Sequence, residues 1–174
     1  MGQRQSDGEL FAREGAKVLA ADINLDAALE TKRIIEAEGG VCEGVSGDVS
    51  RADDVAVIVD NCIAAFGRID VLHNNVGIVE VGGPVETSEE SWDRVNNVNL
   101  KSMFLTCKQV LPHMVRQGKG AIVNIASVSL SGIRWLGVPY ISYATTKAGS
   151  SNSPGSSLSN TLGRAYARTR SCRG

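Results

Sequence analysis

Short apolar runs and amphipathic stretches alternate along the first 150 residues. Residues 17–22, K-V-L-A-A-D, are an apolar run closed by Asp22, the pattern of a strand buried on both faces. Residues 25–38 set Leu25, Ala28, Leu29 and Ile35 at helical spacing, and Gly39-Gly40 ends the segment. Residues 41–47 read as a weaker strand that runs into Asp48-Val49. Val55, Ile58, Val59, Cys62, Ile63 and Phe66 share one side of a helix over 52–66, stopped by Gly67. The strand predicted at 69–73 leads into Asn74-Asn75-Val76-Gly77, and a glycine-rich loop fills 78–86. Thr87 with Glu90 three positions later reads as a capping box that opens a helix. A long helix follows Asn99, with Leu100, Met103, Phe104, Cys107, Leu111 and Met114 on one face, a kink predicted at Pro112, and Gly118 and Gly120 at its end. Residues 121–126, A-I-V-N-I-A, are another buried strand.

Strands that alternate with helices predict an α/β fold with a parallel sheet. Ligands of such sheets bind beyond the carboxyl ends of the strands. That rule lines up Asp22, Asp48, Asn74 and Ser127 along one edge. Further on, Tyr143 and Lys147 stand four positions apart, on one face of a helix. An ammonium there favours the phenolate and lowers the tyrosine pKa from about 10. A tyrosine tuned in this way exchanges protons with a hydroxyl or carbonyl near neutral pH. Taken alone, the pair reads equally as an exposed helix face, so the upstream residues decide.

At 174 residues and 43% apolar content the chain fits one globular domain with a sizeable core. No run of about 18 apolar residues predicts a membrane span. The opening M-G-Q-R-Q-S-D-G lacks the apolar stretch of a secretory signal, and Gly2 with Ser6 fits a myristoylation pattern only superficially. A cytoplasmic location is expected, with Cys42, Cys62 and Cys107 as buried free thiols inside apolar segments. His73 and His113 have no second ligand at metal spacing, so no metal site is expected. Charge is divided: residues 1–93 hold all 19 acidic and seven basic residues, and 94–174 hold eleven basic ones. Four of those arginines fall in the last eleven residues, an anomalous segment, so nucleic acid is not read as a partner.

Together these residues resemble the short-chain dehydrogenase/reductase family. N-N-V-G (Asn74 to Gly77) is similar to the family's N-N-A-G, and N-V-N-L (Asn97 to Leu100) to its helix motif. I-V-N-I-A-S (Ile122 to Ser127) is similar to the strand bearing its serine, and Y-A-T-T-K (Tyr143 to Lys147) to its Y-x-x-x-K. The resemblance runs over residues 17–149 and implies a Rossmann-like doubly wound parallel sheet. It implies an oxidoreductase that transfers a hydride between NAD(H) and an alcohol or ketone, working as a homodimer or homotetramer. Tyr143 would be the acid/base, Lys147 would lower its pKa and bind the nicotinamide ribose, and Ser127 would hold the substrate oxygen. Asn99 would anchor a relay water. Ser129 is a rival serine, and Ser127 is preferred because it follows the strand as in N-I-S-S. Tyr140 is a rival tyrosine without a lysine four residues on. Asp48 and Val49 would contact adenine, while Asn74 and Gly77 would line the cofactor channel. Asp22 would accept the adenosine ribose hydroxyls and repel a 2′-phosphate, which favours NAD over NADP; otherwise it merely starts a turn.

The chain departs from the family pattern at both ends. The family opens with a central strand and T-G-x-x-x-G-I-G, which receives the pyrophosphate at a helix N-terminus. Neither precedes Glu9–Gly15, a segment similar to the end of the family's first helix, and the polar residues before it do not read as a helix start. After Gly149 come seven serines in 25 residues with Pro154-Gly155, which predicts an incomplete domain over 1–149 and an irregular tail over 150–174. Permitted codons for Asn152–Leu162, displaced by one base, spell F-T-R-Q-L-A-L-E-Y-A, the helix that the family places there. A frameshift or truncation is therefore expected, with a non-catalytic, self-associating remnant as the alternative to an active enzyme.

Overall fold

The structure, a computed structural model, describes residues 6–127, 134–135, 138–151 and 166–171. The chain divides into two compact units. The first comprises residues up to 48 with 52–68. It contains helix α1 (Asp7–Arg13), strand β1 (Lys17–Asp22), helix α2 (Leu25–Ala37), strand β2 (Val41–Ser46) and helix α3 (Ala52–Phe66). β1 and β2 run parallel, from Lys17↔Val41 to Asp22↔Ser46.

α1 has a true start, contrary to the sequence reading. Ser6 Oγ accepts the Glu9 amide at 3.3 Å while the Glu9 carboxylate accepts the Ser6 amide at 3.3 Å. The signal was S-x-x-E, a reciprocal box that satisfies two otherwise orphaned donors. α2 buries Ala28 and Ile35 as predicted, but Leu25 and Leu29 remain 45% and 43% exposed. Two strands about 4.8 Å apart are narrower than a helix of about 10 Å, so the ladder covers only part of the apolar stripe. Gly44 lets α2 approach β2 closely: a Cβ there would lie 3.2 Å from the Ala28 carbonyl oxygen.

The second unit comprises residues 49–51 and those from 69 onward. Strand β3 (Val71–Asn74) is followed by helix α4 (Glu89–Asn96), a π-helical segment (Asn97–Lys101) and helix α5 (Ser102–Gln117). Strand β4 (Ala121–Ala126), the two-residue antiparallel pair β5 (Arg134–Trp135) and β6 (Val138–Pro139), helix α6 (Ile141–Ser151) and strand β7 (Tyr166–Ser171) complete it. β3, β4 and β7 form one parallel ladder with β4 central. Met103, Leu105, Cys107, Val110 and Met114 of α5 are buried, as are Ile122 and Ala126 of β4. Each large side chain among them contributes about 1.5–3 kcal/mol by leaving water.

Two expectations change in this unit. α4 is capped by Ser88, whose hydroxyl accepts the Ser91 amide at 3.1 Å, because Thr87 is held in the loop by its amide bond to the Gly83 carbonyl. α5 contains Pro112 and ends, as predicted, at a left-handed Gly118 (φ 71°). Residues 166–171, placed in the irregular tail by composition, form β7 along the outer edge of β4. A parallel ladder is a backbone contact open to any non-proline residue, which serine-rich composition does not reveal.

The architecture is α/β with parallel strands, an incomplete Rossmann-like fold. Among the described residues its parallel strands form two ladders, β1-β2 and β3-β4-β7. Among the described residues no helix is long and apolar enough to cross a membrane.

Candidate active site

In the second unit the site is built at the carboxyl ends of β3 and β4 and on α6. Asn74 and Asn124 occupy one register position of the β3–β4 ladder. Asn74 Nδ2 donates to Asn124 Oδ1 at 2.8 Å, and Asn74 Oδ1 accepts the Thr106 hydroxyl at 2.8 Å. Asn74 thus ties two strands to α5. Cys107, beside it, is buried, and its thiol pKa is pushed up to about 11 by desolvation, against a small lowering from Asn74.

Asn99 lies inside the π-helical segment and is fully buried. The extra residue of a π turn carries its side chain off the regular helix face. Its Oδ1 accepts the Ile78 amide at 2.7 Å, and its Nδ2 donates to the Ile78 carbonyl at 2.9 Å and to Thr146 Oγ1 at 3.2 Å. These bonds hold the start of the loop after Gly77. The same loop is pinned further on by Glu80, which accepts from Ser91 and pairs with Arg94 at 2.7 Å. Gly82 exchanges backbone bonds with Pro139 and Ile141, 3.0 and 3.1 Å, at the start of α6.

α6 brings Tyr143 and Lys147 together. The Lys147 Nζ lies 5.8 Å from the Tyr143 ring centroid. Lys147 is only 3% exposed, and its ammonium donates to the Ile125 carbonyl of β4 at 2.7 Å. Burial of an ammonium is costly without such a partner. Gly77 approaches the same place: a Cβ built on it would stand 3.4 Å from Lys147 Nζ and 3.5 Å from Asn99 Oδ1. Ser127 follows β4 directly and is half-buried. Gly77, Asn99, Tyr143 and Lys147 are therefore gathered in one neighbourhood, and Asn74 ends β3 three residues before Gly77. Ser129 lies outside the described residues.

The remaining candidates are found elsewhere. Asp22 and Asp48 belong to the first unit, where they close β1 and follow β2. Asp22 is exposed; its Oδ1 accepts the Asn24 amide at 2.8 Å, the turn bond foreseen as its bland role. The Asp48 amide donates to Asp54 Oδ2 at 3.0 Å. Val49 is half-buried and opens the second unit. Sequence reasoning missed Thr146, Asn124, Thr106 and the carbonyl of Ile125. Helical spacing could have found Thr146, but backbone acceptors carry no sequence signal.

Parallel strands ending in polar residues, with a buried lysine and a tyrosine on the next helix, define the Rossmann-like nucleotide-binding class. The chain belongs to the short chain dehydrogenase family, whose model matches residues 8–170. It is 41% identical over 146 residues to the 3-oxoacyl-[acyl-carrier-protein] reductase FabG of Thermotoga maritima, covering 80% of this chain and 56% of that one. It is 34% identical over 128 residues to the cyclopentanol dehydrogenase of Comamonas sp., covering 74% and 51%. A solved short-chain dehydrogenase/reductase from Burkholderia xenovorans superposes with a TM-score of 0.86 at 36% identity, over 99% of this chain and 70% of that one. A metagenomic short-chain oxidoreductase in complex with NADP does so with 0.85 at 26% identity, over 96% and 75%. The chain spans about half the length of the curated relatives it matches.

Proposed function

We propose that the protein is an NAD-dependent short-chain dehydrogenase/reductase acting on an alcohol or carbonyl. One observation carries the reading: the buried Lys147 ammonium, held by the Ile125 carbonyl, lies beside both the Tyr143 ring and Gly77. The phenol and the ammonium stand four positions apart on α6, one turn of the same helix. A glycine whose missing Cβ leaves room beside that cation is where a nicotinamide ribose would fit. Asn74, Gly77, Tyr143 and Lys147 would hold that end of the dinucleotide. The glycine motif for the pyrophosphate is not among residues 1–174.

When bound, NAD supplies the acceptor for the hydride that leaves the carbinol carbon. Tyr143 takes the hydroxyl proton at its phenolic oxygen as the carbon–oxygen bond becomes a carbonyl. Lys147 stands beside the Tyr143 ring, its ammonium 5.8 Å from the ring centroid. Ser127 donates a hydrogen bond to the substrate oxygen, where charge develops. Asn99 anchors a relay water as an acceptor, since both hydrogens of its amide already go to Ile78 and Thr146. In the reverse direction Tyr143 returns the proton. Asp22 selects NAD over NADP by repelling a 2′-phosphate. α5 and α6 are the proposed faces of a homodimer or homotetramer; Phe104 of α5 is 52% exposed with the Lys108 ammonium over its ring.

The separate ladders favour a second reading. Among the described residues β1 pairs only with β2, and β3 only with β4. Strand edges of this kind suit a non-catalytic, self-associating module. Titration with NADH, followed by nicotinamide fluorescence, separates the two. Saturable binding supports the oxidoreductase; no binding at millimolar NADH overturns it in favour of the second reading.

A further inference from the structure

Thr146 is fully buried on α6 between Tyr143 and Lys147. A threonine hydroxyl has one hydrogen to give and lone pairs to receive with. Here the hydrogen goes to the Tyr143 carbonyl, 2.9 Å away, so the 3.2 Å contact with Asn99 Nδ2 is one that Thr146 accepts. The polarity of the whole chain is thereby fixed. The Ile78 amide donates to Asn99, the Asn99 amide donates to Thr146, and the Thr146 hydroxyl donates to the backbone of Tyr143. In a buried setting each link polarises the next.

The acceptor at the end of this chain matters. In an α-helix the carbonyl of residue 143 receives the amide of residue 147. The hydroxyl therefore grips the turn that carries both Tyr143 and Lys147. Its donor is equally significant, because Asn99 also holds Ile78, one residue beyond Gly77. Resting on the oxidoreductase reading above, we propose that Thr146 is a positioning residue. Its hydroxyl fixes the rotation of α6 about its own axis against Asn99, and so sets where Tyr143 and Lys147 stand beside Gly77. A rotation of about 10° would carry a side-chain head about 6 Å from the axis through roughly 1 Å. Misplacement on that scale costs about a hundredfold in rate. The neighbouring Thr145 is exposed and has no part in the chain, which makes it an internal control.

Three variants test this: Thr146→Val, which keeps the shape and removes the hydroxyl, Thr146→Ser, which keeps the hydroxyl, and Thr145→Val. NADH is titrated by fluorescence, and the Asn99 side-chain amide is followed by 1H–15N NMR. Thr146→Val is expected to weaken NADH binding roughly tenfold, the cost of one buried hydrogen bond, and to shift an Asn99 amide proton out of its bonded position. Thr146→Ser and Thr145→Val are expected to stay within about twofold of wild type, well inside that difference. Wild-type affinity in Thr146→Val, or a Thr146→Ser no better than Thr146→Val, overturns the proposal. If Thr146→Val does not fold, Thr146→Ser decides: a tenfold loss in the folded serine variant overturns it, and retention with an unmoved Asn99 signal supports it. Wild-type protein that ignores millimolar NADH sinks the oxidoreductase reading. In that case an Asn99 signal unmoved in Thr146→Val would show separately that the hydroxyl does not hold the amide.

Discussion

Around Lys147, the side chains of Asn99, Thr146 and Lys147 itself are buried and bonded to the backbone of Ile78, Tyr143 and Ile125. At the end of β1, Asp22 is exposed and its carboxylate accepts a neighbouring amide across a two-residue turn. The first arrangement makes chemistry and folding inseparable, since each buried polar group left without its partner costs about 1–3 kcal/mol. The second leaves a carboxylate in water, where a change of residue alters recognition and leaves the packing alone. The molecule thus fixes the groups around the proposed proton-handling tyrosine by buried bonds, and leaves the group proposed to read the cofactor exposed, where it can change.

The largest effect should come from the one member of the buried region whose chemistry separates from its packing. Tyr143→Phe removes only the phenolic oxygen of a half-buried ring. Turnover of secondary alcohols with NAD is expected to fall by about 10²–10⁴, the range of a lost general acid/base. NADH affinity and the thermal midpoint should stay close to wild type. Full turnover in this variant, measured by steady-state absorbance, would remove Tyr143 from the chemistry. Asn99→Leu is the converse. It leaves the half-buried Ile78 amide and carbonyl without their partner, and urea unfolding is expected to show a loss of about 3 kcal/mol. A stability unchanged within 0.5 kcal/mol, the size of an ordinary surface substitution, would break the claim that this region couples folding to function.

That contrast also explains what was legible in the sequence. The strands, the helices and the polar residues that close the strands follow from periodicity and from the rule for α/β edges. Tyr143 and Lys147 follow from helical spacing. The π-helical segment at Asn97–Lys101 does not, because N-V-N-L-K is equally compatible with an ordinary helix turn. Thr146 is hidden for a related reason. Its partners are a side chain 47 positions away and a backbone carbonyl, neither of which leaves a mark in A-T-T-K. β7 is hidden because a ladder with β4 is made by backbone groups, which composition does not reveal. Ser6 with Glu9 was readable and went unread, since the surrounding polar residues obscured a local capping box.

Cysteines sharpen the comparison at a smaller scale, because one buried thiol lies in each region. Burial raises the thiol pKa of Cys107, to about 11, and also that of Cys42. A thiol whose folded pKa exceeds its unfolded value of 9.0 binds its proton longer when folded. Stability is therefore full below pH 9 and falls as pH climbs through the folded pKa. For Cys107 the loss between about pH 9 and 11 is of the order of 2 kcal/mol. Cys107→Ala should flatten that slope in urea unfolding at stepped pH, and Cys42→Ala should change it less. An identical slope in Cys107→Ala would place the alkaline loss elsewhere.

The smallest structural effect and the clearest change in recognition should come from Asp22. Asp22→Ser removes a charge and keeps a side-chain oxygen for the Asn24 amide, so the turn after β1 has no reason to open. The thermal midpoint is expected to stay within about 2 °C, as for an ordinary exposed position. The ratio of NADPH to NADH affinity should rise roughly tenfold, because a carboxylate no longer opposes a 2′-phosphate across a few ångströms of high-dielectric solvent. Salt decides whether that is the cause. Raising ionic strength from 0.01 to 1 M shrinks the screening length from about 30 to about 3 Å. If repulsion sets the preference, the wild-type bias toward NADH should weaken across that range while the serine variant barely responds. A wild-type ratio that ignores salt, or a serine variant that keeps the NADH bias, would mean that Asp22 only turns the chain. The selectivity would then have to come from residues other than this strand end.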